Sequence, residues 1–265
     1  MSLKPYSAYS LKYNLSVIDS HCHLQEFEDP GRVIGGLEAV ICCGADLESS
    51  EKAIEIAERF PQVFATVGCH PDAKVFDGKL FLKLSRHKKV VAIGECGLDF
   101  LPETREEEKS DQRELFKFNI DLAEETGLPL VIHCRNAFED VFQALSAQCS
   151  ALSVQMHCFT GNMEQMQECV RRGWYISFGG IVTFKSSHEL RDVVKAVPEN
   201  RLLIETDAPY LAPEPVRGSK NEPKNVKIIA EVLARIRGSS INQIEKITSE
   251  NCRQLFLKLM TTNKK

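Results

Sequence analysis

Short β-branched apolar runs alternate along this chain with longer amphipathic segments, at spacings of roughly 20 to 40 residues. The strand-like runs are SVIDS (16–20), AVICC (39–43), VFATVG (63–68), VVAIGE (90–95), LPLVIH (128–133), SVQMHC (153–158), WYISFG (174–179) and RLLIET (201–206). Between them, residues 47–60 place Ala53, Ile54, Ala57 and Phe60 at helical spacing, and 109–126 read as a helix stopped by Gly127 and Pro129. Residues 226–237, 241–248 and 251–260 read as terminal helices. Strand and helix repeated eight times imply parallel strands with right-handed crossovers, which close into a TIM-like (β/α)8 barrel of the α/β class. Several runs, VVAIG among them, are almost wholly apolar, as strands covered on both faces should be. No Pro/Gly/Ser linker, repeat or low-complexity tract divides the chain. We expect one domain over 16–265 behind an N-terminal extension, 1–15.

The polar residues fall into register with this pattern. His21 and His23 end the first run, His70 follows the third, Glu95 ends the fourth, His133 the fifth, His157 lies in the sixth, and Asp207 follows the eighth. In a parallel barrel those ends converge on one mouth, where active sites are built. Any one strand-end histidine is adequately explained as hydrogen-bonded structure, but five of the chain's 7 histidines at strand ends are not. The four imidazoles of His21, His23, His133 and His157, with the carboxylates of Glu95 and Asp207, are a ligand mix for one or two divalent cations. Glu95, in the middle of the set, is the natural bridge. Two ions roughly 3.5 to 4 Å apart could hold a hydroxide and clamp a phosphate, so the chemistry expected is metal-assisted hydrolysis.

Composition trims the alternatives. Hydrophobic content of 43% with 26% charged residues is that of a globular core, and a net charge of -4 excludes a lysine-coated generic DNA binder while leaving room for a local phosphate site. The 10 cysteines form neither CxxC pairs nor a regular secreted framework, residues 1–15 lack the apolar core of a signal peptide, and no apolar run reaches the length of about 20 residues that a membrane helix needs. Reduced thiols in the cytoplasm or nucleus, and no membrane contact, are expected. Cys22, Cys69, Cys96, Cys134 and Cys158 each neighbour one of the polar residues. Strand alternation turns such neighbours to the opposite face, so they read as small buried hydrophobes.

The motifs DSHCHL (19–24), GCHPDA (68–73), IGECGLDF (93–100), LPLVIHCRNA (128–137), HCFTGN (157–162), LLIETDAPYLAP (202–213) and NEP (221–223) resemble, in order and over nearly the whole chain, those of the TatD family of metal-dependent deoxyribonucleases, amidohydrolase-like barrel enzymes. The resemblance implies that His21 and His23 bind a first metal, His133 and His157 a second, that Glu95 bridges them, and that Asp207 ligates and shuttles a proton. It implies phosphate contacts for His70 and Arg135. Glu205, on the face of Asp207 by period two, would orient a ligand or the attacking water on the substrate side. Asn221 and Glu222 would brace the mouth, and Asp19 would orient a histidine from behind.

Two divalent cations are implied, Mg2+ or Mn2+ for turnover, whereas the histidine-rich donor set also suits Zn2+ or another transition ion as bound. The partner implied is DNA, cleaved by 3′-to-5′ exonuclease action at single-stranded ends, which a pocket reaches more readily than an internal duplex phosphate. The acidic stretch 101–110 reads as a solvated helix start. The rival readings are an amidohydrolase acting on C–N or ester bonds of a small molecule, and a noncatalytic metal-binding protein. Several amidohydrolases bridge their metals with a carbamylated lysine, and IGECGLDF has none.

Overall fold

The computed structural model describes residues 17–74, 76–145 and 152–256. Eight parallel strands follow one another in chain order, β1 (Ile18–Cys22), β2 (Ala39–Cys43), β3 (Val63–Val67), β4 (Val90–Asp99), β5 (Leu130–Arg135), β6 (Val154–Met156), β7 (Tyr175–Phe178) and β8 (Leu202–Ile204). The sheet returns on itself where Cys22 bridges Ala208 in parallel, backed by His23 N donating to Ala208 O at 2.7 Å and Asp207 N to His21 O at 3.0 Å. This is the expected single-domain (β/α)8 barrel.

Helices occupy the crossovers: α1 (Pro30–Val33), α2 (Leu47–Arg59), α3 (Gly78–Ser85), α4 (Glu106–Thr126), α5 (Phe138–Ala144), α6 (Met163–Arg171) and α7 (His188–Ala196), with α8 (Val226–Arg237) and α9 (Ile241–Leu255) after β8. Local chemistry fixes their ends. Asp46 caps α2 by accepting Ser49 N at 2.8 Å, and the helix then buries Ala53, Ile54, Ile56 and Ala57 against the barrel. α4 opens on Glu106, Glu107 and Glu108, whose charges suit a helix N-terminus. Its Arg105 and Glu108 side chains pair there, so the acidic stretch is the solvated helix start expected of it. Gly127, with φ 66°, closes α4 by donating to Ala123 O. Strands β2, β3 and β4 are buried along their whole length, which explains why their sequences are apolar apart from Thr66, Glu95 and Asp99.

Two elements differ from the sequence expectation. β4 runs 10 residues, to Asp99, rather than ending at Glu95. The glycines of IGECG permit this, because β4 passes β5 too closely for side chains. A Cβ on Gly94 would lie 2.4 Å from Val131 O, and one on Gly97 would lie 2.0 Å from His133 O, both at φ near +137°. The helices expected at 241–248 and 251–260 are one continuous α9 through Leu255, with 257–260 and the extension 1–15 outside the described residues. Polar residues at the join are buried contacts. Ser249 Oγ accepts Ile18 N at 3.2 Å, and Asn251 Nδ2 donates to Glu199 O and Leu202 O, fastening α9 under the barrel. Seven of the nine described cysteines are buried, Cys134 and Cys158 are partly so, and none of the nine forms a disulfide. No described helix is long and apolar enough to cross a membrane.

Candidate active site

At the C-terminal mouth the nitrogen and oxygen atoms of six residues gather into two sets. In the first, His21 Nε2 lies 3.2 Å from His23 Nε2, 3.4 Å from Glu95 Oε2 and 3.6 Å from Asp207 Oδ1, while His23 Nε2 lies 3.5 Å from Glu95 Oε2 and 3.4 Å from Asp207 Oδ1. These separations match the edge of about 3.4 Å in a tetrahedron whose bonds are about 2.1 Å, the length of a nitrogen or oxygen bond to a divalent transition ion. In the second set, Glu95 Oε1 lies 3.0 Å from His133 Nδ1 and 3.0 Å from His157 Nε2, which are 3.4 Å apart. Glu95 thus gives one oxygen to each set.

Hydrogen bonds behind the rings select the inward nitrogen. His23 Nδ1 is 3.0 Å from the Cys43 carbonyl, so it carries the hydrogen and Nε2 keeps its lone pair. His157 Nδ1 meets Glu205 Oε1 at 3.1 Å with the same result. His133 is reversed, with Nε2 bonded to Asp99 Oδ2 at 3.0 Å and Nδ1 left for the site. His21 Nδ1 is buried with no partner among the described residues. Its ring stacks on His157 at 4.0 Å between centroids. Inward-facing lone pairs crowded against two carboxylates fit a metal better than they fit one another.

His70 belongs to the same cluster but offers different chemistry. Its Nδ1 accepts Asp72 N at 3.2 Å, so the neutral ring bears its hydrogen on Nε2, 3.7 Å from Glu95 Oε1. It presents a donor to the mouth rather than a lone pair. Arg135, half-exposed at the end of β5, holds one nitrogen 3.3 Å from Asp99 Oδ2 and keeps the rest of its guanidinium free for the rim. Glu205 departs from the substrate-facing place expected of it. It is completely buried behind His157, its oxygens taken up by His157 Nδ1, Cys158 N and Gln155 Nε2. Asp19, within β1, is buried and accepts Thr206 N at 2.9 Å and the Thr206 hydroxyl at 2.5 Å, so it ties β1 to the segment after β8 instead of orienting a histidine ring as expected. Asn221 braces the last loop through Thr206 O and Tyr210 O, whereas Glu222 pairs outward with Lys224. Asp99 was not singled out by the sequence reading, although it stands in the quoted IGECGLDF motif. Once β4 is seen to continue, the aspartate beside His133 is the signal.

Electrostatics follow from this packing. Burial opposes the charge on Glu95, yet His157 and hydrogen bonds from His133, His157 and His21 hold the carboxyl well below its usual range. Burial likewise works against ionised Asp207, and His23 with the neighbouring imidazoles lowers it all the same. Burial disfavours a proton on His157, but Glu95 and Glu205 raise it well above the ordinary imidazole value. His21 moves down, chiefly through burial and then through His157. Without metal, protons on imidazoles therefore balance the carboxylates.

The sign of the pH dependence follows. The His157 proton stabilises metal-free protein fully below an ordinary imidazole value of about 6.5, and that contribution is lost as pH rises through the raised value. Glu95 and Asp207 contribute above their unfolded values and lose it as pH falls through the depressed ones. A cation must displace the imidazole protons. Zn2+ uptake by chelator-treated protein is expected to tighten as pH rises from the ordinary imidazole value of about 6.5 through the raised His157 value, with proton release read by calorimetry in buffers of different ionisation enthalpy. Affinity that is flat over that range would contradict this assignment of charges.

Asp207 enters the site at φ 57° and Cys158 turns beside it at φ 43°. A non-glycine residue in the left-handed region costs about 1 kcal/mol or more, and such strain concentrates at functional sites.

Comparison with known proteins adds to this geometry. The family model described as TatD related DNase matches residues 18–257. The metal-dependent hydrolase YabD of Bacillus subtilis is 40% identical over 253 residues, covering 91% of this chain and 98% of that protein. The 3′-5′ ssDNA/RNA exonuclease TatD of Salmonella typhimurium is 34% identical over 231 residues, covering 83% of this chain and 88% of that protein. Among solved structures, YjjV, a TatD homologue from Escherichia coli K12, superposes with a TM-score of 0.83 at 25% identity, covering 92% of this chain and 99% of that one.

Proposed function

The chain belongs to the TatD-related DNase family of metal-dependent hydrolases, and on that premise we propose that it is a deoxyribonuclease that removes nucleotides from the 3′ ends of single-stranded DNA. The observation that carries the reading is the division of Glu95, with Oε2 among His21, His23 and Asp207, and Oε1 between His133 and His157. Two donor sets sharing one carboxylate suit a pair of divalent cations. When bound, these would supply Lewis acidity to a phosphodiester and lower the pKa of water.

The chain's own residues do the rest. Asp207, anionic and with Oδ1 beside both nitrogens of the HxH pair, accepts the proton of the attacking water on its other carboxylate oxygen and returns it to the leaving oxygen. His70 Nε2–H and the free edge of Arg135 hold nonbridging phosphate oxygens. Glu205 and Asp99 keep His157 and His133 in the required tautomers. Four imidazoles favour Zn2+ or another transition ion as bound, and hard phosphate oxygens favour Mg2+ or Mn2+ during turnover. The similarity to a protein named as an ssDNA/RNA exonuclease supports a single-stranded substrate. β4 reads VVAIGECGLD and carries no lysine for a carbamate bridge, which disfavours the amidohydrolase reading.

The test is metal analysis of purified protein followed by hydrolysis of single strands labelled at either end, in DNA and RNA, beside closed circular DNA. Stepwise loss from the 3′ end, abolished by chelator, is expected. Equal cutting of closed circles, or turnover of small amides with nucleic acid left intact, would reverse the assignment. Arg135→Ala is expected to raise KM for a single strand about tenfold, the loss of one charge-assisted contact, with a smaller effect on kcat. An unchanged KM would remove Arg135 from substrate binding.

A further inference from the structure

Four large apolar or aromatic side chains among the described residues stand exposed: Phe76, Leu101, Tyr210 and Ile241. Phe76 leans on Phe118 with ring centroids 4.5 Å apart, and Ile241 begins α9, the helix fastened under the barrel. Tyr210 differs from these by touching the metal-ligand set. It is 53% exposed, yet its ring lies 5.7 Å from that of His23, at an interplanar angle of 66°.

Its backbone is fixed. Tyr210 N donates to Asp207 O at 2.8 Å, and Tyr210 O accepts buried Asn221 Nδ2 at 2.7 Å. Asp207 and Leu211 flank it at φ 57° and 48°, so the turn that delivers Asp207 also sets the tyrosine. Asn221 N in turn donates to Pro209 O at 3.0 Å. Farther along the same loop, Lys220 Nζ donates to Glu26 O at 2.8 Å and sits 4.4 Å over the Phe27 ring, which ties this loop to the segment after β1. A rigidly mounted aromatic ring that stays wet beside a phosphodiester site has one evident use for a nucleic-acid substrate.

We propose that Tyr210 is a base-stacking platform that takes the nucleobase next to the scissile phosphate and thereby selects unpaired strand ends. The inference rests on the nuclease reading above. Every base has a π-face, so the contact tolerates sequence, whereas a paired base reaches it only after unstacking. Tyr210 acts here as a positioning residue, setting where the strand lies relative to Asp207.

The test compares wild type, Tyr210→Ala, Tyr210→Leu and Tyr210→Phe on single strands of one sequence whose last two 3′ nucleotides are either normal or abasic. On the normal strand, Tyr210→Ala should raise KM about tenfold with kcat within about twofold, Tyr210→Phe should restore KM, and Tyr210→Leu should fall between. On the abasic-ended strand the difference between wild type and Tyr210→Ala should close, because wild type has itself lost the partner. An unchanged KM for Tyr210→Ala on the normal strand overturns the proposal. So does an equal penalty on both strands, which would make the ring a cover for His23. If wild type cleaves neither strand, the nuclease reading fails and takes this inference with it. If wild type cleaves and the variants are indistinguishable from it, the inference alone fails.

Discussion

Glu95→Gln is expected to leave a folded barrel that no longer retains its metal complement and hydrolyses a 3′-labelled single strand at least about a thousandfold more slowly. That factor corresponds to about 4 kcal/mol of lost transition-state stabilisation. The substitution keeps the shape of the side chain and changes only its donors and acceptors. An amide has one oxygen and one NH2, so whichever way it turns, one donor set keeps an acceptor and the other meets N–H atoms. Either the pair His21 and His23 or the pair His133 and His157 then loses its shared carboxylate oxygen. The site loses one negative charge where burial makes charge count heavily. Elemental analysis of the purified variant and single-turnover hydrolysis are the readouts. Wild-type metal content together with wild-type rate would remove Glu95 from the mechanism. Asp207→Asn provides the contrast, since Asp207 lies only by the first set, beside His21 and His23, and metal at the second should survive it.

The second large effect is structural. Gly97→Ala would bring a methyl carbon to 2.0 Å from the carbonyl oxygen of His133, at a φ of +136° that L side chains rarely adopt. Overlap on backbone cannot be relieved by rotating a side chain, so β5 has to retreat, and the His133 imidazole retreats with it. A loss of about 3 kcal/mol in unfolding free energy is expected, from overpacking and backbone strain together, accompanied by weaker metal retention. Gly127→Ala is the control. It also has a positive φ, 66°, but nothing lies within 4 Å of its added methyl, and about 1 kcal/mol covers its cost. Urea midpoints that coincide for the two variants would refute the close approach of β4 and β5.

The pattern of apolar runs was enough to recover the barrel because parallel strands covered on both faces leave a signature little affected by tertiary detail. The same holds for the positions of His21, His23, His133 and His157, which occur where those runs stop. Parity arguments failed where the strands stop being regular. Glu205 and Asp207 are two residues apart, but β8 ends at Ile204 and Asp207 lies in the left-handed region, so their side chains diverge and Glu205 turns to the rear of His157. Asp99 escaped notice because β4 was read as ending at Glu95. The glycines that let the strand continue look, in a sequence, like the start of a turn. Register shifts between Asp19 and Cys22 in β1, and between Ile93 and Cys96 in β4, disturb the period-two count beside two of the site's own residues, His21 and Glu95. Which imidazole nitrogen faces inward depends on acceptors distant in sequence, Cys43 for His23 and Asp99 for His133, and no local pattern encodes it.

The closure between β1 and β8 is made by the amides of the site itself, His23 N on Ala208 O and Asp207 N on His21 O, around the single Cys22–Ala208 bridge. Opening that seam separates Asp207 from the histidine pair, so any ligand that holds the side chains together also clasps the backbone. In exchange with heavy water, the His23 and Asp207 amides should therefore be the ones that slow most when metal is added to the stripped protein. Amides between β2 and β3, remote from the seam, should keep their rates. Such a protein would bear the imprint of its cofactor in the local breathing of its barrel, before any substrate is offered to it.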